Sequence, residues 1–265
     1  MLTLSSPAID PVLIEIGPFA IRWYALSYIA GILLAWRYMI WLAQQSPVEI
    51  TKEHVDDFVV WATLGIVLGG RLGYVIFYKP GYYLQNPLEA LAVWEGGMSF
   101  HGGLLGVIFA VWLFCRRRGY SWIAVGDMVA CTAPVGLFLG RIANFINGEL
   151  YGRVTDLPLG MVFPGGGPLP RHPSQIYEAL LEGLVLFFVL LWLVRRPSSF
   201  EKPGLLSGVF LAGYAVARGM VEVFRQPDAH IGFLAIGTTM GQWLSLPLLI
   251  VGVWLIVRSH RHDAT

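Results

Sequence analysis

Long apolar runs alternate with short polar loops along nearly the whole chain. A bilayer-spanning helix needs about 20 apolar residues, at 1.5 Å per residue across about 30 Å of hydrocarbon. Seven runs approach that length, near Phe19–Leu42, Phe58–Phe77, Met98–Cys115, Trp122–Phe138, Ile176–Val194, Leu205–Phe224 and Met240–Val257. Only helices and closed barrels satisfy their backbone in lipid, and these runs are too long for barrel strands. The pattern predicts an all-α polytopic membrane protein: seven transmembrane helices in a single integral membrane domain over residues 1–265. Residues 148–173 break the pattern with a Gly- and Pro-rich loop that includes Pro164-Gly-Gly-Gly-Pro168. A loop of that length often carries function, so it reads as a loop or head region. Asn86-Pro87-Leu88-Glu89-Ala90 reads as a helix start with proline in the first turn, forming a surface helical arm.

Composition agrees. The chain is 56% hydrophobic and 13% charged, with mean hydropathy +0.63. Soluble domains are about 45–50% apolar and about 25% charged. The net charge of +1 names no partner and gives no sign of nucleic acid. Its distribution does inform. The loops after runs one, three and five and the C-terminal tail hold Lys52, Arg116, Arg117, Arg118, Arg195, Arg196, Lys202, Arg258 and Arg261. The opposite loops hold Lys79, Arg153, Arg171 and Arg225. The basic side faces the cytoplasm by the positive-inside rule, so the N-terminus and the 148–173 loop are expected outside and the C-terminus inside. No Lys or Arg precedes Arg22, so the first run reads as retained, not as a cleaved leader. Cys115 and Cys131 read as small buried hydrophobes. No CxxC, HExxH or other metal spacing occurs, so no metal is expected.

Three polar clusters lie at membrane depth. The first, Gly140-Arg141-Ile142-Ala143-Asn144-Phe145-Ile146-Asn147-Gly148-Glu149-Leu150-Tyr151-Gly152, ends the fourth run. A fixed cation in hydrocarbon costs about 2.5–3.5 kcal/mol on insertion scales, and an anionic headgroup is one partner that offsets it. A salt-bridged helix end, with Glu149 pairing Arg153 four residues on, is the plainer alternative. The second is a stripe down the sixth run: Tyr214, Arg218 and Glu222, with Arg225 one turn on. An Arg218–Glu222 pair would fix helix packing, yet the stripe has more arginine than carboxylate, and guanidinium binds phosphate bidentately. The third is Gly96-Gly97-Met98-Ser99-Phe100-His101-Gly102-Gly103. Glycine lets a backbone kink or approach a ligand, and histidine is suited to proton transfer near neutral pH.

Smaller signals complete the reading. Arg22-Trp23-Tyr24 opens the first run in an interfacial aromatic belt. Arg71 calls for a carboxylate partner or a cavity. Ser174 suits the N-cap of the fifth run, where Arg171-His172-Pro173-Ser174-Gln175 precedes Tyr177-Glu178. Asp127 reads as structural. The residues alone describe helices around an arginine-lined cavity that opens near the outer leaflet and takes an anionic phospholipid. An enzyme, a lipid transporter and a scaffold remain open. The histidine between glycines and the apolar inner halves of the runs favour the enzyme.

The 140–152 run resembles the signature of bacterial prolipoprotein diacylglyceryl transferases. Arg22-Trp23-Tyr24, Ser99-Phe100-His101-Gly102-Gly103, His172-Pro173-Ser174-Gln175 with Tyr177-Glu178, and Tyr214 through Gln226-Pro227-Asp228 are similar too, in the same order. The resemblance covers essentially the whole chain. It implies transfer of the diacylglyceryl group of phosphatidylglycerol to the lipobox cysteine of a prolipoprotein signal peptide. Glycerol 1-phosphate is released, in the first step of bacterial lipoprotein maturation. It implies no cofactor, and a site toward the outer leaflet of the bacterial inner membrane. His101, Arg141 and Arg218 are the candidate catalytic residues. Arg141, Asn144, Tyr24, Tyr214, Glu149, Glu222, Gly152 and Arg225 are the candidates for binding phosphatidylglycerol. His101 is the first choice of general base, with Glu149 and Glu222 as alternatives.

Overall fold

A computed structural model of the protein describes residues 4–5, 9–17, 19–227 and 232–261. Seven principal helices fall on the seven apolar runs: α1 (Trp23–Gln45), α2 (Lys52–Phe77), α3 (Phe100–Arg118), α4 (Trp122–Ile146), α5 (Ser174–Val194), α6 (Leu205–Val221) and α7 (Met240–Arg261). Five of them, α1, α2, α4, α5 and α7, are long and apolar enough to cross a membrane. The other two fall short for local reasons. His101 and two glycines open α3 and three arginines close it, while α6 has 17 residues and stops at Val221. The helices expose Ile29, Leu33, Leu64, Phe188, Trp192 and Trp254, the kind of surface that only hydrocarbon covers without penalty.

Two compact units divide the chain, residues 46–126 and residues 1–45 with 127–265. In the 46–126 unit, α2 and α3 meet along a seam of small residues. Gly65, Gly69 and Gly73 face Gly102, Gly106 and Ala110. A methyl group on Gly65 would lie 2.6 Å from the Gly106 carbonyl oxygen, and one on Gly73 would lie 2.8 Å from Gly102 Cα. Membrane helices that lack a hydrophobic drive to associate pack through such close backbone approach. The sequence suggests that the glycines beside His101 make room for a ligand. Gly102 instead makes room for α2. Ser99 caps α3 by accepting from the Gly102 amide at 3.2 Å, which sets the first turn that carries His101.

The hydrogen-bond partners of Arg71 among the described residues are main-chain oxygens and not a carboxylate. Its guanidinium, 4% exposed, donates to main-chain carbonyls: Ala90 at 2.9 Å, Glu89 at 2.6 Å, Gly96 at 2.5 Å and Gly97 at 3.3 Å. Glu89 and Ala90 belong to the expected arm, a short helix Pro80–Gln85 followed by 3-10 turns at Pro87–Leu91 and Val93–Glu95, and Gly96 and Gly97 follow directly after it. Pro87 opens its turn as the sequence predicts. Leu84, Leu88 and Trp94 stand almost fully exposed on the arm.

In the other unit, residues 19–22 do not join the first helix. They form an antiparallel hairpin strand with Val12–Ile16, and α1 starts at Trp23. At its far end α4 outruns the expected stop at Phe138 and stays helical through Ile146, so Arg141 and Asn144 are one turn apart on a continuous helix. The cap of α5 also differs. Pro173 holds the cap position, and the Ser174 hydroxyl donates to the Leu150 carbonyl at 3.0 Å. The middle of α5, Ala179–Val185, widens to a π-helix, a form that recurs at functional sites. Asp127 does take a structural role: it accepts from the Gly204 and Ser207 amides at 2.7 Å each and so caps α6. A second small-residue seam, Gly208 and Ala212 against Gly252, joins α6 to α7.

Candidate active site

Three helices and the segment after α6 bring charges together. Glu178 and Glu182 come from α5, four residues apart, and both are fully buried. Arg141 reaches them from α4, with Nε 3.2 Å from Glu178 Oε2 and a terminal nitrogen 3.6 Å from Glu182 Oε2. Arg218 comes from α6. It donates to Glu178 Oε1 and pairs with Glu222 one turn on, and it stands 3.8 Å from Glu182 Oε1. Arg225 donates to Glu178 Oε1 at 2.7 Å. Glu178 is thus the hub of three guanidinium groups.

The cluster is asymmetric. Both α5 carboxylates are sealed, while the side chains of Arg141, Arg218 and Arg225 keep 18%, 14% and 11% of their surface open. The arrangement is a carboxylate floor under a partly open guanidinium rim. A cavity of about 130 Å³ adjoins the rim, lined by Arg218, Glu222, Arg225, Thr239 and Gly241 among others.

Glu222 ends α6 as its C-cap. Its second oxygen accepts from the Thr239 hydroxyl at 2.6 Å. Thr239 is itself fixed by a capping box at the start of α7: Gln242 Oε1 accepts from the Thr239 amide at 3.1 Å, and Thr239 Oγ1 accepts from the Gln242 amide at 3.4 Å. Gly241 lets the carboxylate lie against the helix, since a methyl group there would come within 2.5 Å of Glu222 Cδ.

Asn144 and Glu149 form a second group beside Arg141. Asn144 donates to Glu149 Oε1 at 2.8 Å and Asn147 donates to the same oxygen at 3.3 Å. The suggested Glu149–Arg153 pair is not the arrangement seen. Arg153 donates to the Arg225 and Glu222 carbonyls at 2.9 and 3.0 Å. Tyr24 opens α1, its hydroxyl 3.4 Å from that of Tyr28, and Tyr28 lies within electrostatic reach of Arg141 and Glu149. Tyr214 stacks on Phe210 one turn above Arg218. His101 belongs to the 46–126 unit, exposed on the first turn of α3.

The 148–173 loop supports the cluster through main-chain pairing. Gly152 donates to the His172 carbonyl at 2.8 Å and Arg153 to the Phe224 carbonyl at 2.8 Å. His172 packs against Tyr177 and Phe224. Burial, helped by the nearby Arg153 charge, lowers its pKa below the ordinary histidine range. Gly152 sits where three stretches of backbone meet. A methyl group there would lie 2.5 Å from the Phe224 carbonyl oxygen and 2.8 Å from that of His172. Gly152→Ala should therefore push the 224–225 segment, and Arg225 with it, away from Glu178, at about 1–3 kcal/mol of overpacking. A lower melting temperature together with reduced activity in detergent checks this; wild-type values for both would show that the backbones yield freely.

Sequence reasoning took Glu178 only as part of a capped helix start and of a matching motif, not as a site residue, and did not single out Glu182, Tyr28 or Thr239. The signal for the first two was present: paired carboxylates four residues apart inside an apolar run are rarely left facing lipid.

The family described as prolipoprotein diacylglyceryl transferase matches residues 11–258. The chain belongs to this family. Relatives named phosphatidylglycerol–prolipoprotein diacylglyceryl transferase match across nearly their whole length. The one from Paramagnetospirillum magneticum is 61% identical, covering 98% of this chain and 97% of the relative. That from Rhodospirillum rubrum is 59% identical, covering 98% and 96%. That from Idiomarina loihiensis is 54% identical, again covering 98% and 96%. Prolipoprotein diacylglyceryl transferases are enzymes of lipoprotein biosynthesis, and this member is a multi-pass membrane protein.

Proposed function

We propose that this chain transfers the diacylglyceryl group of phosphatidylglycerol to the lipobox cysteine of a prolipoprotein signal peptide and releases glycerol 1-phosphate. The observation that carries this reading is the guanidinium rim of Arg141, Arg218 and Arg225 held open above sealed carboxylates. Such a rim matches a phosphodiester, whose oxygens accept paired N–H donors. The seven helices span the bacterial inner membrane with the N-terminus outside and the C-terminus in the cytoplasm, which puts the rim near the outer leaflet.

In the reaction the cysteine sulfur forms a bond to the glyceryl carbon that bears the phosphate, and the carbon–oxygen bond to phosphate breaks. The thiolate is the nucleophile, so the thiol proton must leave. His101 takes it. The alternatives Glu149 and Glu222 already accept two hydrogen bonds or ion pairs each, from Asn144 and Asn147 and from Arg218 and Thr239, which weakens both as bases. Arg141 and Arg218 bind the headgroup phosphate and stabilise the charge that grows on it as the bond breaks. Asn144 adds a hydrogen bond, Tyr24 and Tyr214 position the lipid, and Glu178 and Glu222 aim the guanidinium groups. Gly152 and Arg225 shape the rim.

Arg141→Lys should lower transfer by about 10- to 100-fold, the loss expected when one charge-assisted hydrogen bond worth about 1.5–3 kcal/mol disappears. Unchanged transfer would reduce Arg141 to a simple positive charge. The test of the whole reading is a transfer assay with purified protein, phosphatidylglycerol and a lipobox peptide. Glycerol phosphate release should require both the lipid and the cysteine and should vanish with the Cys→Ser peptide. No release with lipid binding intact would turn the assignment toward a lipid transporter.

A further inference from the structure

Glu182 has no role in the reaction as described, yet it lies at the centre of the charge cluster. It is 0% exposed. Neither of its oxygens accepts a hydrogen bond, and the nearest guanidinium nitrogens stand 3.6 and 3.8 Å away. Its neighbours differ. Glu178 accepts from Arg218 and Arg225, and Glu222 accepts from Thr239 and pairs with Arg218. The charged and titratable groups that act on Glu182 are Arg141 from α4, Glu178 on its own helix, Tyr214 and Arg218 from α6, and Arg225 beyond it.

Within the ion-paired cluster the formal charges are equal in number: three guanidinium groups, Arg141, Arg218 and Arg225, meet three carboxylates, Glu178, Glu182 and Glu222. A phosphodiester brings one further negative charge. An uncompensated charge in a sealed, poorly solvated site is costly, and such sites relieve it by changing protonation. Of the three carboxylates, Glu182 alone has no hydrogen bond to lose, so its charge is the least stabilised. A phosphate also draws Arg141 and Arg218 toward itself, away from contacts that are already long.

We infer that Glu182 takes up one proton from solution when the phosphate of the lipid headgroup binds at Arg141 and Arg218. The inference rests on the proposed substrate. It makes headgroup binding electroneutral and couples it to pH: binding tightens by up to about tenfold for each unit that pH falls across the working range, the slope for one linked proton. The proton resides on the carboxylate, and no other bond changes.

Calorimetry of phosphatidylglycerol binding to the intact protein in detergent, repeated in buffers of different ionisation enthalpy, counts the protons. About one proton taken up per lipid supports the inference. Tight binding with none taken up overturns it. Glu182→Gln should bind with an affinity that no longer varies with pH and should take up no proton, whereas Glu182→Asp should keep the uptake. Wild-type uptake in Glu182→Gln would place the proton elsewhere and also overturn the inference. The wild-type count decides the matter even if the glutamine variant folds poorly. A wild-type protein that binds phosphatidylglycerol no better than phosphatidylcholine would overturn the substrate reading itself, and this inference with it.

Discussion

Glu178→Gln is expected to abolish measurable transfer and to lower the melting temperature of the protein in detergent. Three guanidinium groups converge on this one buried carboxylate. The amide keeps the shape and one acceptor oxygen but removes the negative charge, so three cations are left to share Glu182 and Glu222. Removing one partner of a buried ion pair costs about 3–5 kcal/mol, because the remaining charge stays desolvated. The same change frees Arg141 and Arg218 to swing. Losing the placement of even one charge-stabilising donor costs about 10²–10³ in turnover, and here at least two are affected. Thermal unfolding and glycerol phosphate release, measured on the same preparation, check both parts. A variant with wild-type stability and activity would show that Glu178 is only a passive counter-ion.

His101→Gln should leave phosphatidylglycerol binding within about twofold while turnover drops by about 10²–10⁴, the usual worth of a general base. Glutamine fills similar space and still hydrogen-bonds, but it takes no proton. The Ser99 cap and the Gly102 contact with α2 hold the helix start in place, so the substitution tests chemistry more than folding. Separate measurement of lipid binding and kcat distinguishes the two. Near-normal turnover would remove His101 from the proton path and return Glu149 and Glu222 to consideration.

The apolar pattern made the helices legible, and the density of polar residues in the 140–152 run pointed to Arg141 and Asn144 of the candidate site. What it hid depends on tertiary partners. Glu178 follows Ser174 by four residues and so reads as part of a capped helix start, although it is the point on which three arginines meet. Arg225 sits outside the apolar run, and only the turn after Val221 returns it to α5. Gly102 beside His101 looks like room for a ligand until Gly69 and Gly73 of α2 are placed against it. Ser174 failed as a cap because the chain turns at Pro173, which left its hydroxyl to hold Leu150 instead. Helix ends shifted for the same kind of reason: a hairpin claimed residues 19–22, and nothing after Phe138 stopped α4 before Ile146.

Arg71 bears on how this protein can vary. Its hydrogen bonds to the arm go to carbonyl oxygens, which every amino acid supplies, and Tyr83, whose ring lies under the guanidinium at 5.3 Å, is the one arm side chain described in the grip. Side chains such as those of Leu88 and Trp94 take no part in that grip and are free to change. The arm is therefore a place where a lineage adapted to a different lipid mixture can rewrite the outward-facing residues without loosening the attachment beneath them.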